Sequence, residues 1–132
     1  MVQKISISHK QLVEEAAERI DRLSVEDAIR LHGRDDVVFV DIRDIRELDR
    51  EGRVPGAFHC PRGMLEFWIC PDSPYHKPAF AQDKRYVFFC AGGMRSVLAA
   101  DVARHMGLAP VCDVMGGFSA WKKAGGPVEQ AG

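Results

Sequence analysis

The sequence predicts an α/β fold in which helices cover both faces of a mostly parallel sheet. Two apolar runs, residues 37–41 and 85–90, lack the alternation of apolar and polar residues that marks a half-exposed strand. Segments with apolar residues at helical spacing lie between such runs, and glycine pairs at 92–93 and 116–117 separate strand from helix. Strands that alternate with helices are joined by right-handed crossovers, so we expect the strands to run parallel and to be buried on both sides.

Composition and charge are those of an ordinary globular protein. Of 132 residues, 46% are hydrophobic and 28% are charged, which excludes a disordered chain. We expect a single domain over residues 1–132 with an extra N-terminal helix. The formal net charge is -1, so neither nucleic acid nor an anionic membrane surface is an expected partner. No apolar run has the length of a membrane span or of a signal-peptide core, and a cytoplasmic location is expected.

The first forty residues predict two helices and a strand. Ser8 begins an amphipathic helix over about residues 9–22, in which apolar residues recur at helical spacing. Ser24 begins a second helix, and Gly33 supplies the left-handed residue that commonly ends one. The β-branched run 37–41 follows as the first buried strand.

Residues 42–84 predict one further helix, a short strand and a long irregular segment. Residues 42–50 are charged and compatible with a helix, and an apolar passage at 57–59 follows a break that contains glycine and proline. Prolines make the segment 61–84 irregular, apart from one helical turn near 64–68.

After residue 84 the order of strand, glycine turn and helix occurs twice. The run 85–90 is the second strongly apolar strand, and a helix over 94–106 follows its glycine turn. A short strand over 110–114 and a last helix over 118–124 come next. A tight turn from strand to helix gathers backbone N–H groups and the positive end of the helix dipole around one point, which is a geometry that binds anions.

Cys90 is the strongest candidate for a reactive residue, because it closes an apolar strand at the sheet edge where open α/β proteins bind ligands. The residues Ala91, Gly92 and Gly93 are small enough to let their backbone N–H groups turn inward. The helix that begins near Met94 points its positive end at the same spot. Such a cradle stabilises a thiolate, or an anion built on it, without a histidine base. The alternative for a lone cysteine on a phenylalanine-rich strand is a buried, unreactive core residue.

Three polar residues are predicted to support Cys90. Arg95 closes a Cys-x4-Arg pattern, and its guanidinium either binds an anionic donor or ties the loop to a carboxylate. A cation is unfavourable at a helix N-terminus, so a compensating partner is expected, and Asp41 at the end of its own strand is the predicted one. Ser96 is predicted to cap the following helix rather than to react.

The other cysteines are predicted to be free thiols without a catalytic role. The chain has neither a C-x-x-C pair nor the histidine spacing of a zinc finger, so no metal ligands and no cofactor are predicted. The pair His59-Cys60 resembles the start of a phosphatase loop, but Glu66 stands where that loop needs arginine. Cys112 is predicted to be a bystander, and so is Cys70, with a role as resolving thiol as its alternative.

Four segments, in order along the chain, carry a resemblance to a known family. They are 40–43 (VDIR), 52–59 (GRVPGAFH), 90–96 (CAGGMRS) and 116–121 (GGFSAW). Over residues 24–129 the chain resembles a single-domain rhodanese, a protein of the thiosulfate sulfurtransferase type. The resemblance implies a five-stranded parallel sheet flanked by helices, and a cysteine that accepts sulfane sulfur as a persulfide and passes it to a thiophilic acceptor. The loop from Cys90 to Arg95 has six residues, similar to the sulfurtransferases, whereas the related phosphatases have seven.

Three functions are compatible with these residues. In the first, Cys90 attacks the outer sulfur of a small anionic donor such as thiosulfate, and the amides of residues 91–95 hold the resulting persulfide. Asp41 would orient Arg95, Arg43 would add positive potential at the entrance, and a thiol, cyanide or a protein would accept the sulfur. The second function is a relay or binding module that carries sulfur only between protein partners. The third, disfavoured by the length of the loop, is a phosphatase or an arsenate-handling enzyme.

Overall fold

The computed structural model describes residues 2–130, whose strands and helices alternate along the chain. The strands are β1 (Asp21–Leu23), β2 (Val37–Asp41), β3 (Phe58–His59), β4 (Arg85–Phe89) and β5 (Val111–Val114). The α-helices are α1 (His9–Arg19), α2 (Val25–Leu31), α3 (Ile45–Glu51), α4 (Leu65–Ile69), α5 (Arg95–Met106) and α6 (Gly117–Lys123). Single turns of 3-10 helix occur at Arg62–Met64 and Pro78–Phe80. Among residues 2–130, no helix has both the length and the apolar character needed to cross a membrane.

The five strands form one sheet in the order β1-β5-β4-β2-β3, and every pairing is parallel. The predicted five-stranded sheet is therefore confirmed, and it is parallel throughout. Asp41 at the end of β2 lies beside Phe89 at the end of β4, so these two strands finish at the same level. The loops that follow them consequently meet at one edge of the sheet.

Helices cover both faces of the sheet, which explains why the central strands lack polar alternation. In β4, Tyr86 and Phe88 belong to the core beneath α4 and α5, whereas Val87 and Phe89 belong to the core beneath α2 and α6. All four side chains are buried. Successive residues of a strand point to opposite faces, so a strand with two covered faces has to be apolar at every position.

The first helix is shorter than the sequence predicts. We expected it to run to about residue 22, but it ends at Arg19, and Asp21–Leu23 form the edge strand β1. Ile20 already has an extended backbone, and Asp21 pairs in register with Cys112 of β5. A three-residue edge strand that carries two charged residues has no periodicity of its own, so only its partner strand reveals it.

Candidate active site

Cys90 is the first residue after β4, at the carboxyl edge of the sheet, and its side chain is 1% exposed. Its sulfur accepts hydrogen bonds from the backbone N–H of Gly93, at 3.1 Å, and of Ser96, at 3.4 Å. The Ser96 Oγ lies 3.5 Å from the same sulfur. The sulfur thus sits at the N-terminus of the 12-residue helix α5, where both the amides and the helix dipole favour negative charge.

The backbone N–H groups of the loop from Ala91 to Met94 are expected to surround the Cys90 sulfur, and they do so only in part. Of its amides, that of Gly93 contacts the cysteine sulfur, and the second amide comes from Ser96 beyond the loop. The N–H groups of Ala91, Gly92 and Met94 donate no hydrogen bond within the described part of the chain. These three donors remain available for a further atom bound to the sulfur.

The N-terminus of α6 holds the loop in this conformation. The N–H of Phe118 donates to the Cys90 carbonyl at 2.8 Å, and the N–H of Ser119 donates to the Ala91 carbonyl at 3.0 Å. Gly117 has φ +59°, and a Cβ added there would lie 2.4 Å from the Cys90 carbonyl oxygen. Because α6 binds the carbonyl oxygens of Cys90 and Ala91 from one side, it fixes the course of the backbone at the start of the loop.

Arg95 ties the loop to a carboxylate, but the prediction of Asp41 as its partner is wrong. Its two guanidinium nitrogens donate to the two Glu47 carboxylate oxygens, each at 3.0 Å. Glu47 also accepts from the backbone N–H of Asp44 and so completes the capping box of α3. The hydrogen bond from Arg95 holds the pKa of Glu47 below its usual value. The sequence placed Glu47 in a charged helical segment, and the capping-box spacing was the one local signal that distinguished it.

Asp41 and Arg43 bind each other, so Arg43 does not add free positive charge at the entrance as predicted. The two side chains are each 1% exposed and are 2.7 Å apart at their closest atoms. The Arg43 guanidinium also donates to the Gly52 carbonyl at 3.0 Å and stacks 4.2 Å from the centroid of the Phe118 ring. A buried, fully paired arginine braces β2 against the ends of α3 and α6.

Ser96 is not a helix cap, because Met94 occupies the N-cap position of α5. Its hydroxyl instead donates to the Asp113 carboxylate at 2.9 Å, and Asp113 in turn binds Arg22 at 2.7 Å. Neither Asp113 nor Arg22 is predicted from the sequence as part of the site. An aspartate within the apolar strand 111–114 was the signal that could have indicated Asp113, since a buried carboxylate needs a partner.

A groove of about 430 Å³ borders the loop at Ala91. Further residues on its walls are Arg50, Glu51, Phe118, Ser119, Lys122 and Lys123. Arg50 pairs with Glu51, whereas the two lysines form no salt bridge within residues 2–130. The groove therefore has a positive rim next to the residue that follows Cys90.

The remaining cysteines are free thiols, and two of them are deeply buried. Burial raises the pKa of Cys60 to about 12 and the pKa of Cys112 to about 12. Both thiols therefore stay protonated at neutral pH. Cys70 is partly exposed.

Comparison with known proteins supports the resemblance seen in the sequence. The family model of the rhodanese-like domain matches residues 24–124. A sulfurtransferase of Allochromatium vinosum is 29% identical over 99 residues, which are 75% of this chain and 84% of that protein. Thiosulfate sulfurtransferase 16 of Arabidopsis thaliana is 32% identical over 95 residues, which are 69% of this chain and 78% of that protein.

Two solved structures extend the comparison. A Rhodopseudomonas palustris protein, described as a possible tyrosine phosphatase, has a TM-score of 0.95 and 56% identity, with 98% of this chain and 99% of that chain covered. The thiosulfate sulfurtransferase of Pseudomonas aeruginosa has a TM-score of 0.74 and 26% identity, with 92% of this chain and 22% of that chain covered. Because the family match spans most of the chain and includes the Cys90 loop, the protein belongs to the rhodanese-like domain family, whose relatives matched here include sulfurtransferases.

Proposed function

We propose that the protein is a sulfurtransferase that moves sulfane sulfur through a persulfide on Cys90. The observation that carries this proposal is the position of the Cys90 sulfur, at the N-terminus of α5 and within reach of the amides of Gly93 and Ser96. These donors favour a thiolate, which is the nucleophilic form of cysteine. The sulfurtransferases among the relatives support the same chemistry.

The reaction consists of two displacements at sulfur. In the first, the Cys90 thiolate attacks the outer sulfur of thiosulfate; a new S–S bond forms, the S–S bond of the donor breaks, and sulfite leaves with the electron pair. The unused amides of Ala91, Gly92 and Met94 would then hold the terminal sulfur, as an oxyanion hole holds oxygen. In the second displacement, cyanide or a thiolate attacks that terminal sulfur, and Cys90 leaves as the thiolate with which the cycle began.

The expected donor is a small anion that presents sulfur end-on. The Cys90 side chain is 1% exposed, so a donor has to reach it with a narrow terminal atom. The lysine rim of the adjoining groove attracts anions, since neither Lys122 nor Lys123 forms a salt bridge among residues 2–130. We place the activity in a reducing cytoplasm, where the four free thiols remain reduced.

A phosphatase is the second candidate, because the Rhodopseudomonas palustris protein with 56% identity is described as a possible tyrosine phosphatase. The site favours sulfur transfer over phosphoryl transfer for two reasons. A transferred phosphoryl group spreads charge over three equatorial oxygens and needs many donors, whereas this loop has six residues. In addition, Arg95 directs its guanidinium to Glu47, so it does not serve as a phosphate clamp.

The proposal is tested by measuring sulfite release from thiosulfate in the presence of cyanide. The wild-type protein and the Cys70→Ser control should release sulfite at the same rate, and Cys90→Ser should release none above the uncatalysed rate. Equal rates in the wild type and Cys90→Ser would overturn the proposal. Hydrolysis of p-nitrophenyl phosphate that depends on Cys90, without sulfite release, would support the phosphatase instead.

Mass spectrometry of the intact protein separates the enzyme from a relay between proteins. After incubation with thiosulfate, the persulfide adds about 32 Da at Cys90, and cyanide should remove it. An adduct that forms on Cys90 but is not discharged by cyanide or by small thiols would assign the protein to a relay that needs a protein acceptor.

A further inference from the structure

A chain of hydrogen bonds runs from the Cys90 sulfur through Ser96 and Asp113 to Arg22. The Ser96 Oγ lies 3.5 Å from the sulfur and donates to the Asp113 carboxylate at 2.9 Å. Arg22 donates to both oxygens of that carboxylate, at 2.7 Å and 3.0 Å. The chain therefore connects the sulfur to a guanidinium on the edge strand β1.

Arg22 reaches the sulfur by a second route as well. Its Nη2 donates to the Gly93 carbonyl at 3.1 Å, and the N–H of Gly93 donates to the Cys90 sulfur at 3.1 Å. Gly93 has φ +92°, and a Cβ added there would lie 2.9 Å from the Gly116 nitrogen, so this peptide is confined by its neighbours. One side chain thus holds both the peptide and the hydroxyl that face the sulfur.

The charges around Cys90 occur in three pairs. Arg22 pairs with Asp113, Arg95 with Glu47, and Arg43 with Asp41, as the salt bridges at 2.7 Å, 3.0 Å and 2.7 Å show. Asp113 and Ser96 are fully buried, whereas the Arg22 side chain is 27% exposed. An unpaired carboxylate beside the sulfur would oppose a thiolate, so the cation of Arg22 is needed for the charges to balance. The hydrogen bond to Asp113 raises the pKa of Arg22, which keeps it charged.

We propose that Arg22 is a positioning residue for Cys90, which acts by neutralising Asp113 and by holding the Gly93 peptide against the sulfur. Arg22 lies in β1 and precedes the family match, which begins at residue 24. The N-terminal segment therefore contributes to the reactive centre rather than only covering the sheet. The inference rests on the proposed function in taking Cys90 as the reacting group.

The test is the pH profile of Cys90 alkylation by iodoacetamide, measured on the Cys70→Ser protein by mass spectrometry of the Cys90 peptide. Arg22→Met leaves Asp113 without its cation, so the midpoint of the profile should move to higher pH by about one unit, which slows alkylation up to tenfold at pH values below both midpoints. Asp113→Asn leaves Arg22 without its anion, so the midpoint should move to lower pH. The double variant should return towards the parent profile, because both charges are absent.

Midpoints that move in opposite directions in the two single variants distinguish this role from a purely structural one. A structural role gives no reason for the two midpoints to move in opposite directions. If both single variants move the midpoint in the same direction, or if neither moves it, the proposal is wrong. Asp113→Asn and the double variant keep the proposal testable should Arg22→Met fail to fold, because the buried carboxylate is absent from both.

Arg19→Met is the matched control, since it removes an Arg–Asp pair of the same length, 2.7 Å to Asp101, from the same N-terminal segment. The midpoint of its profile should stay at the parent value. A displacement like that of Arg22→Met would show that any lost ion pair has this effect and would overturn the proposal. Alkylation requires no sulfur donor, so an inactive protein with the expected displacements would count against the proposed function alone.

Discussion

At the scale of single residues, two arginines near Cys90, Arg95 and Arg22, have acidic partners that lie far away in the sequence. Arg95 shows the physical reason. As the first residue of α5 it lies at the positive end of the helix dipole, where a cation is unfavourable unless an anion compensates it. Glu47 supplies that anion from the first turn of α3, where a carboxylate is favourable. The pair therefore stabilises the N-termini of both α3 and α5, and it fixes the distance between the loop and α3.

We expect Glu47→Gln and Arg95→Ala to slow sulfite release to a similar degree, by about threefold to tenfold, because both release the loop from α3. Loss of stability should be small, at most about 1 kcal/mol for an ion pair this exposed. Steady-state rates with thiosulfate and cyanide, together with urea unfolding, measure the two effects. Asp36→Asn, which removes a surface ion pair at the opposite edge of the sheet, should change neither the rate of sulfite release nor the urea unfolding curve.

A large loss of the rate of sulfite release in Arg95→Ala, together with a normal rate in Glu47→Gln, would contradict this interpretation. Arg95 would then bind the donor directly instead of fixing the loop. The pairing with Arg95 lowers the pKa of Glu47 from 4.5, so we expect the pair to contribute its stability above pH 4.5 and to lose it as the pH falls below that value.

At the scale of secondary-structure elements, the site is assembled where the N-terminus of α6 meets the loop after β4. The approach is close because glycine occupies both sides of the contact, Gly93 in the loop and Gly116-Gly117 at the N-terminus of α6. The backbone N–H groups of Phe118 and Ser119 would otherwise have no intrahelical partner, and they bind the carbonyls of Cys90 and Ala91 instead. One helix terminus thus satisfies its own donors and orders the loop that begins at Cys90.

Gly117→Ala should destabilise the protein far more than Gly125→Ala, and it should also abolish sulfur transfer. Both glycines have positive φ, at +59° and +82°, so each alanine has the left-handed backbone cost of about 1–2 kcal/mol. The added Cβ at Gly117 would also lie 2.4 Å from the Cys90 carbonyl oxygen, whereas nothing lies within 4 Å at Gly125. Urea unfolding of the two variants compares the costs, and equal losses would contradict the role of this contact.

At the scale of the whole molecule, two cores separated by the sheet each contain a buried thiol. Cys60 lies in the core that contains Phe88, and Cys112 lies in the core that contains Val87. Burial raises the pKa of both thiols, so the surroundings of Cys60 and of Cys112 disfavour a thiolate. Cys90 accepts two backbone N–H groups at the N-terminus of α5, whereas Cys60 and Cys112 have apolar surroundings that disfavour a thiolate.

The buried thiols should make the protein lose stability at alkaline pH. Burial raises the pKa of each thiol from 9.0 to about 12 in the folded state. As the pH rises above 9, the thiols of the unfolded chain therefore lose their protons first, which favours the unfolded state. The free energy of unfolding should then fall by up to about 1.4 kcal/mol per pH unit for each thiol. Urea titrations at pH 8, 9, 10 and 11 measure the slope.

The Cys60→Ala/Cys112→Ala variant should be less stable at pH 8, because two cavities replace the thiols, but its free energy of unfolding should depend less on pH above 9. The control Cys70→Ser should keep the slope of the wild type. Tyr86, whose pKa burial also raises, contributes equally in all three proteins. Identical slopes in the double variant and the wild type would show that the two thiols do not cause the effect.

The alternation of strands and helices, and the position of Cys90 before a glycine turn, are predicted from the sequence alone, because each depends on neighbouring residues. Apolar runs without alternation predict β2 and β4, and the order of strand, glycine turn and helix predicts the anion-binding position of Cys90. The spacing of Cys90 and Arg95 is likewise local.

Only the tertiary structure decided which residues support that cysteine. The partners Arg95 and Glu47 are 48 positions apart, and Arg22 and Asp113 are 91 positions apart. Neither pairing has a local pattern, because each depends on the strand order β1-β5-β4-β2-β3. Arg22 and Asp113 are register partners of the neighbouring strands β1 and β5, and Arg95 and Glu47 lie on the helices that follow the neighbouring strands β4 and β2. The edge strand β1 has the same origin, since three residues become a strand only where the open edge of β5 supplies their hydrogen-bond partners.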